Sequence, residues 1–343
     1  MLALALVVAL VTASAPADAR TGAQAPSVHV VAPVREQEPR ATVRIRVRVS
    51  DGAGRDVSGA SCAFVWRQGA RVVRRSTAVT AASGAAADRW VVSGVQPDVP
   101  VRVIVRCRWQ GQVAGAATWF VQRPPLPATP RIVFVGDSLT VGLYATTEAA
   151  AFRSLLATAV PCSTAVIASV GGRSDGVDPA SVAAAAGDIY VVELGTNDAS
   201  GFLTGVPVRP AAFDRHLRAV AAAARAGNRG CRLVFLTTWQ NPGRRRQYDA
   251  RISAVAAEYG DHLVDISAVK DDPADSRPAG VSTQWGPSDG WHPNDAGHAA
   301  IAARLRSVVR RILRLGSAAA HGAAGAAGGA RDSSDPLRAR PVP

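Results

Sequence analysis

The hydrophobic pattern of the chain changes period at Pro124-Pro-Leu-Pro-Ala-Thr-Pro130, and that change divides it into two differently built regions. Before the prolines, residues 41–50 (Ala-Thr-Val-Arg-Ile-Arg-Val-Arg-Val-Ser) alternate apolar and charged with period two, the pattern of an antiparallel strand with one face buried. Runs at 28–34, 61–68, 70–80, 89–95, 101–110 and 112–122 share this character and are bounded by Gly, Pro or Asp. About seven short strands within residues 20–123 predict a small immunoglobulin-like or fibronectin-like β-sandwich. Consecutive prolines favour extended geometry, so residues 124–130 read as a stiff linker.

Beyond the linker, residues 131–135, 165–170, 188–194, 232–238 and 262–266 form largely continuous apolar runs, as strands buried on both faces do. Alanine-rich helical segments lie between them, at 141–160, 179–186, 210–226 and 248–259. This alternation predicts a three-layer α/β domain with a mainly parallel sheet over residues 131–315. Its last helix, 295–315, carries Ile301, Leu305, Val308, Val309, Ile312 and Leu313 at packing spacing. Residues 316–343 are rich in Ala, Gly, Ser and Pro without apolar periodicity and read as a disordered tail.

The N-terminal run Met1 to Val11 is apolar but shorter than the roughly 20 residues a membrane span needs. Ala17-Asp-Ala19 offers small residues where a signal peptidase reads, so residues 1–19 are expected to be a signal peptide cleaved after Ala19. No later segment has the length and apolarity of a span. The expectation is a secreted or cell-surface protein without stable membrane insertion.

Export permits disulfides among Cys62, Cys107, Cys162 and Cys231. Cys62 alternates in phase with Phe64 and Trp66, and Cys107 with Val103 and Val105, so both point into one β core and a Cys62–Cys107 bridge is expected. Cys162 and Cys231 each precede a parallel strand, and their pairing depends on strand order. No two cysteines have metal-ligand spacing, and neither a metal nor a cofactor is expected. Residues 20–123 hold 16 arginines against 6 acidic residues, most of the formal net charge of +13. Such a domain suits an anionic cell-surface polymer, although arginine on the solvent faces of strands accounts for the same excess. No aromatic residues interleave with a basic stripe, so nucleic acid is not an expected partner.

Four short motifs supply the parts of a nucleophilic acyl-transfer site. Gly136-Asp-Ser138-Leu-Thr140 follows a buried strand, which sets Ser138 at the carboxyl edge of the sheet at the head of a helix, where backbone N–H groups favour a developing oxyanion. Asp289 and His292 are three apart in a glycine-containing loop, letting the carboxylate reach Nδ1 and leaving Nε2 for the serine. Read alone, Asp289 or Asn294 is equally a helix cap. Gly195-Thr-Asn197-Asp198 ends another strand, so Asn197 can offer an amide N–H while Asp198 holds the loop. Val170-Gly-Gly-Arg-Ser174 ends a third. His262 and His298 also have aspartates three residues away but lie inside predicted elements, so they rank as weaker bases. Trp239, Asn241 and Arg244 to Arg246, after the fourth strand, and Trp291 beside the triad are candidates for the substrate rim, with tryptophan packing as the plainer reading.

The ordered set Gly136-Asp-Ser-Leu, Gly172, Gly195-Thr-Asn-Asp and Asp289-x-x-His292 resembles the SGNH hydrolase superfamily, also called the GDSL esterase/lipase family. The resemblance covers residues 131 to about 315. It implies a flavodoxin-like sheet of order 2-1-3-4-5, a triad of Ser138, His292 and Asp289, and an oxyanion hole from Ser138 N–H, Gly172 N–H and Asn197. A polar residue after the glycine favours Gly172 over Gly171. In that strand order Cys162 and Cys231 precede non-adjacent strands. The implied activity is that of a secreted serine esterase or lipase-type carbohydrate esterase acting on short acyl esters or acylated glycans. Acyl transfer to a sugar by the same triad, a polysaccharide-binding protein with a degenerate hydrolase domain, and a metal hydrolase using Asp289, His292 and Asp295 are the competing readings.

Overall fold

A computed structural model describes residues 25–31, 36–37, 39–202 and 204–327, with side chains as far as Leu313. The expected signal peptide and residues 328–343 lie outside the described residues. The N-terminal strands are β1 (Ser27–Val31), β2 (Glu36–Gln37), β3 (Thr42–Ser50), β4 (Ser61–Gln68), β5 (Arg71–Val79), β6 (Ala85–Val91), β7 (Val101–Trp109) and β8 (Gln112–Gln122). They form one sheet of order β1-β3-β6 and a second of order β2-β8-β7-β4-β5. All pairs are antiparallel except the two-residue β2, which adds to β8 in parallel. Period two becomes burial directly: Val43, Ile45, Val47 and Val49 of β3 point inward against Phe64, Trp66, Val103 and Val105. This is the predicted sandwich. The strand expected at 89–95 instead begins at Ala85, because β6 pairs residue for residue with β3 from Ala85 opposite Arg48 to Val91 opposite Thr42.

Cys62 and Cys107 are directly opposite each other on neighbouring β4 and β7 and form the expected bridge, so it fastens two strands of one sheet inside the core. Cys162 and Cys231 are free thiols. They pack against opposite faces of the parallel sheet.

That sheet comprises β9 (Arg131–Gly136), β10 (Ser163–Ala168), β11 (Ile189–Glu193), β12 (Arg232–Leu236) and β13 (His262–Val264), in the order β10-β9-β11-β12-β13, all parallel. The order is 2-1-3-4-5, as the resemblance implied. Alternate residues enter separate cores: Val133, Val135, Tyr190, Val192, Leu233 and Phe235 on one face, Ile132, Phe134, Ile189, Val191, Val234 and Leu236 on the other. The helices are α1 (Ser138–Val141), α2 (Phe152–Ala159), α3 (Pro179–Ala184), α4 (Thr196–Ser200), α5 (Pro210–Gly227), α6 (Pro242–Tyr259), α7 (Ser267–Asp271) and α8 (Asp295–Ala327). No helix among the described residues is long and apolar enough to cross a membrane.

Three helical expectations need correction. The segment 141–160 is two helices, because α1 stops after one turn at Gly142, whose φ of 82° is left-handed. α6 begins at Pro242 rather than Tyr248, so Arg244 to Arg246 lie in its first turns; proline at the first helical position is already set for helix. α8 runs on to Ala327, through residues read as tail, because alanine, the strongest helix former, lets an established helix propagate.

The proline-rich segment does not hold the domains apart. Leu126 packs against one core of the α/β domain. Arg123, fully buried, donates to Glu36 (2.9 Å) and Asp98 (3.2 Å) of the β domain and to Asp261 (2.8 Å) and the Tyr259 carbonyl (3.0 Å) of the α/β domain. Glu36 also accepts from Arg232 (3.1 Å) and bonds His262 Nε2 (3.0 Å), and Asp261 pairs with Arg225. Arg232 and His262 open β12 and β13, so this ionic junction sits at the amino edge of the sheet.

Candidate active site

Ser138 and Asn197 enter from the opposite, carboxyl edge. β9 ends at Gly136, Asp137 caps α1 by accepting the Leu139 N–H (3.0 Å), and Ser138 is the first helical residue, with its N–H in the uncompensated first turn. Glycine is required at 136 because a Cβ there would lie 2.0 Å from Thr140 Oγ1 and 2.7 Å from the Glu193 carbonyl oxygen. The turn between β9 and Ser138 thereby has no room for a side chain at position 136.

Ser138 Oγ lies 2.9 Å from His292 Nε2, and His292 Nδ1 lies 2.7 Å from Asp289 Oδ2. Asp289 Oδ1 accepts the backbone N–H groups of Trp291 (2.9 Å) and His292 (3.1 Å), so the loop folds around its own carboxylate. With Nδ1–H donated to Asp289, Nε2 is the acceptor that faces the serine. The ring is held edge to face by Tyr144 (centroids 5.3 Å apart) and Trp291 (5.0 Å). Its burial pushes the His292 pKa down, Asp289 opposes this, Lys270 adds to it, and the net position is below the ordinary imidazole range. Burial alone would raise Asp289, but the N–H groups of Trp291 and His292 and the imidazole hold its carboxyl below the usual range.

Asn197, on α4, is buried and shares the cleft with Ser138. Its Nδ2 donates to Asp137 Oδ2 (2.9 Å) and to the Gly172 carbonyl (3.0 Å), which uses both amide hydrogens. Asp198 holds the neighbouring loop as expected, accepting from the Ser174 backbone (3.1 Å) and hydroxyl (2.5 Å). Gly172 is placed differently from its assigned role: its N–H closes a turn onto the Ser169 carbonyl (2.9 Å), and Gly171, at φ 73°, is the glycine that lines the cleft. The left-handed third position of that turn is what the doubled glycine provides.

Ser138, Asn197, Asp289 and His292 open onto a cleft of about 390 Å³ whose apolar wall includes Leu143, Tyr144, Val170 and Phe202. Asn241, Arg244 and Trp291 lie on its rim. Trp239 does not. It is fully buried behind the histidine loop and donates Nε1–H to the Trp291 carbonyl (2.9 Å), because a large apolar ring directly after a central strand is drawn into the core. Arg245 turns away to Asp271 (2.7 Å). His298 is buried against Phe152 and its pKa is pushed down to about 4 by that burial, while His262 belongs to the domain junction. Asp295 bonds Thr146 and Arg277 (2.9 Å), so Asp289, His292 and Asp295 do not converge.

Tyr144, Phe202, Gln240 and Lys270 were not singled out by sequence reasoning; they are isolated loop or helix residues without pattern. Glu193 did carry a signal, a carboxylate inside the continuous apolar run of β11.

Residues 134–300 match the model of the GDSL-like Lipase/Acylhydrolase family. None of the curated proteins compared with the chain matches it. Among solved structures, similarity is found to a carbohydrate esterase family 2 enzyme plus carbohydrate binding domain from Corynascus thermopiles (Myceliophthora fergusii), at 18% identity over 83% of this chain and 99% of that one, with a TM-score of 0.41. A family two carbohydrate esterase from Cellvibrio japonicus is 13% identical over 84% of this chain and 99% of its own, at 0.43. Axe2, an acetylxylan esterase from Geobacillus stearothermophilus, is 17% identical over 55% and 96%, at 0.40.

Proposed function

Since its α/β domain, through residues 134–300, belongs to the GDSL-like lipase/acylhydrolase family of the SGNH hydrolase superfamily, this protein is a carboxylic ester hydrolase, and we propose that it is an exported serine esterase removing short acyl groups, such as O-acetyl groups on glycans. The observation that carries the mechanism is the unbroken relay from Asp289 Oδ2 through the His292 ring to Ser138 Oγ, at 2.7 and 2.9 Å. His292 Nε2 takes the hydroxyl proton as Ser138 attacks the ester carbonyl, the alcohol leaves with that proton, and water attacks the acyl-serine with His292 again as base. The oxyanion is assigned to the Ser138 N–H and the Asn197 amide, whose hydrogen on the Gly172 carbonyl is exchanged for the stronger charged acceptor. Gly172 N–H joins them if the turn on Ser169 opens. A cleft of about 390 Å³ with an apolar wall suits a small acyl group.

The β domain is assigned to an anionic surface polymer. On the outer face of its second sheet, Arg67, Arg75, Arg102, Arg106 and Arg108 make no salt bridge among the described residues, while Asp51, Asp56 and Asp88 are each already paired. The test of the catalytic reading is hydrolysis of acetyl, butyryl and longer nitrophenyl esters and of acetylated polysaccharides by wild type, Ser138→Ala and Asn197→Ala. Acetate release lost in Ser138→Ala, and kcat lowered about 10² to 10³-fold in Asn197→Ala, are the expected results. Full activity in Ser138→Ala overturns the reading.

A further inference from the structure

Two carboxyl groups are buried together beneath the nucleophile. Asp137 is fully buried, and Glu193, at the end of β11, is 1% exposed. The Asp137 N–H (3.3 Å) and the Thr140 hydroxyl (3.0 Å) both donate to Glu193 Oε2, while Glu193 Oε1, buried too, meets no donor among the described residues. Asp137 turns both its oxygens toward the site, Oδ1 to the Leu139 N–H and Oδ2 to Asn197 Nδ2. The charged neighbours are acidic: Asp137 acts on Glu193, and Glu193 and Asp198 on Asp137, and among the described residues neither Asp137 nor Glu193 has a salt bridge. Two adjacent carboxylates without a cation do not both stay ionised in a low dielectric. A single shared proton resolves this, since a carboxylic acid can donate to a carboxylate where two bare anions cannot bond. Burial raises Asp137 to about 6, whereas burial first and Asp137 second push Glu193 well above the usual carboxylate range, so Glu193 is the member that keeps the proton once the pH passes that of Asp137.

We propose that Glu193 is a positioning residue of the esterase site: as a neutral acid it holds Asp137 as the anion that aims the Asn197 amide at the oxyanion. The proposal rests on the acyl-transfer reading above and deepens it. When the shared proton is lost at high pH, a second negative charge stands beside Asp137 with no hydrogen between them, and Asn197 loses its fixed acceptor. Activity then falls on the alkaline side through this pair, while protonation of Asp137, raised to about 6 chiefly by burial, adds to the acid limb set by His292.

The experiment is the pH dependence of kcat and KM on an acetate ester for wild type, Glu193→Ala, Glu193→Gln and Ser138→Ala, with melting temperatures alongside. Glutamine is isosteric, donates an N–H toward Asp137 and does not ionise. Glu193→Ala is expected to lower kcat about tenfold or more with KM little changed. Glu193→Gln is expected to recover most of that rate and to lack the alkaline fall. An alkaline limb in Glu193→Gln identical to that of wild type overturns the proposal, as does wild-type kcat in a folded Glu193→Ala protein. If Glu193→Ala does not fold, the alkaline limb of Glu193→Gln decides alone. Activity surviving in Ser138→Ala brings down the esterase reading itself, a result distinguishable from failure at Glu193.

Discussion

Lys270, the only lysine in the chain, places its ammonium 5.4 Å from the ring centre of Trp239 and 5.6 Å from that of Trp291. Its charge is felt by His292 and pushes the imidazole down, in the same direction as burial. A general base works unprotonated, so activity is retained above the His292 pKa and lost as pH falls through it. Because that pKa lies below the ordinary value, the acid limb of kcat/KM is expected below pH 6.5. Lys270→Gln removes one of the depressing influences and should move the limb upward. A limb unmoved in pH–rate profiles would show that burial and Asp289 set the base without Lys270. At this scale the grouping of Ser138, His292 and Asp289 was legible because Ser138 ends the turn after β9 and Asp289 and His292 lie three apart in one short glycine-containing loop. Trp239 admits both a rim and a packing reading because a residue one turn past a strand faces either cleft or core, and packing draws it into the core.

The strands were legible wherever one face is apolar, as in β3, where every second residue is buried. Helix boundaries were less so: α6 starts at Pro242 over three arginines that carry no apolar period, and α1 and α2 were merged across Gly142. Phase directs Cys62 and Cys107 into one core, and the β4–β7 register, which places them opposite each other, completes the bridge. It closes a loop of sequence separation 45, and its removal by paired Cys62→Ala and Cys107→Ala changes should cost about 2–4 kcal/mol. Urea unfolding followed by tryptophan fluorescence, to which Trp66 and Trp90 in or against the β core contribute among the seven tryptophans, measures this; an unchanged midpoint would show that the bridge adds nothing to the stability that packing supplies.

The two-domain division was legible from the change of period, but the way the domains join was not. Arg123 and Glu36 are 87 residues apart, and Glu36 and His262 are 226 apart, with no local pattern linking them. Arg123→Met would leave Glu36, Asp98 and Asp261 without their shared cation, and a buried pair broken on one side costs about 3–5 kcal/mol. A drop of that size in denaturant unfolding is expected, with little change in kcat, because the junction is at the amino edge of the sheet and the triad at the other. The Glu36 pKa is lowered from 4.5 to about 2: burial raises it, but the His262 hydrogen bond, Arg123 and Arg232 outweigh that. A depressed carboxylate stabilises above its unfolded pKa and ceases to do so as pH falls through its folded one, so this contribution is lost between pH 4.5 and about 2.

The sharing of those charges across the boundary has a consequence for descent. The β domain alone would carry Glu36, Asp98 and Arg123 without Asp261, Arg232 and His262, and the α/β domain the reverse. Neither half is a cassette that recombination can exchange freely. A foreign partner must bring a matching set of ions with it, so the two halves are expected to be inherited together and to change together.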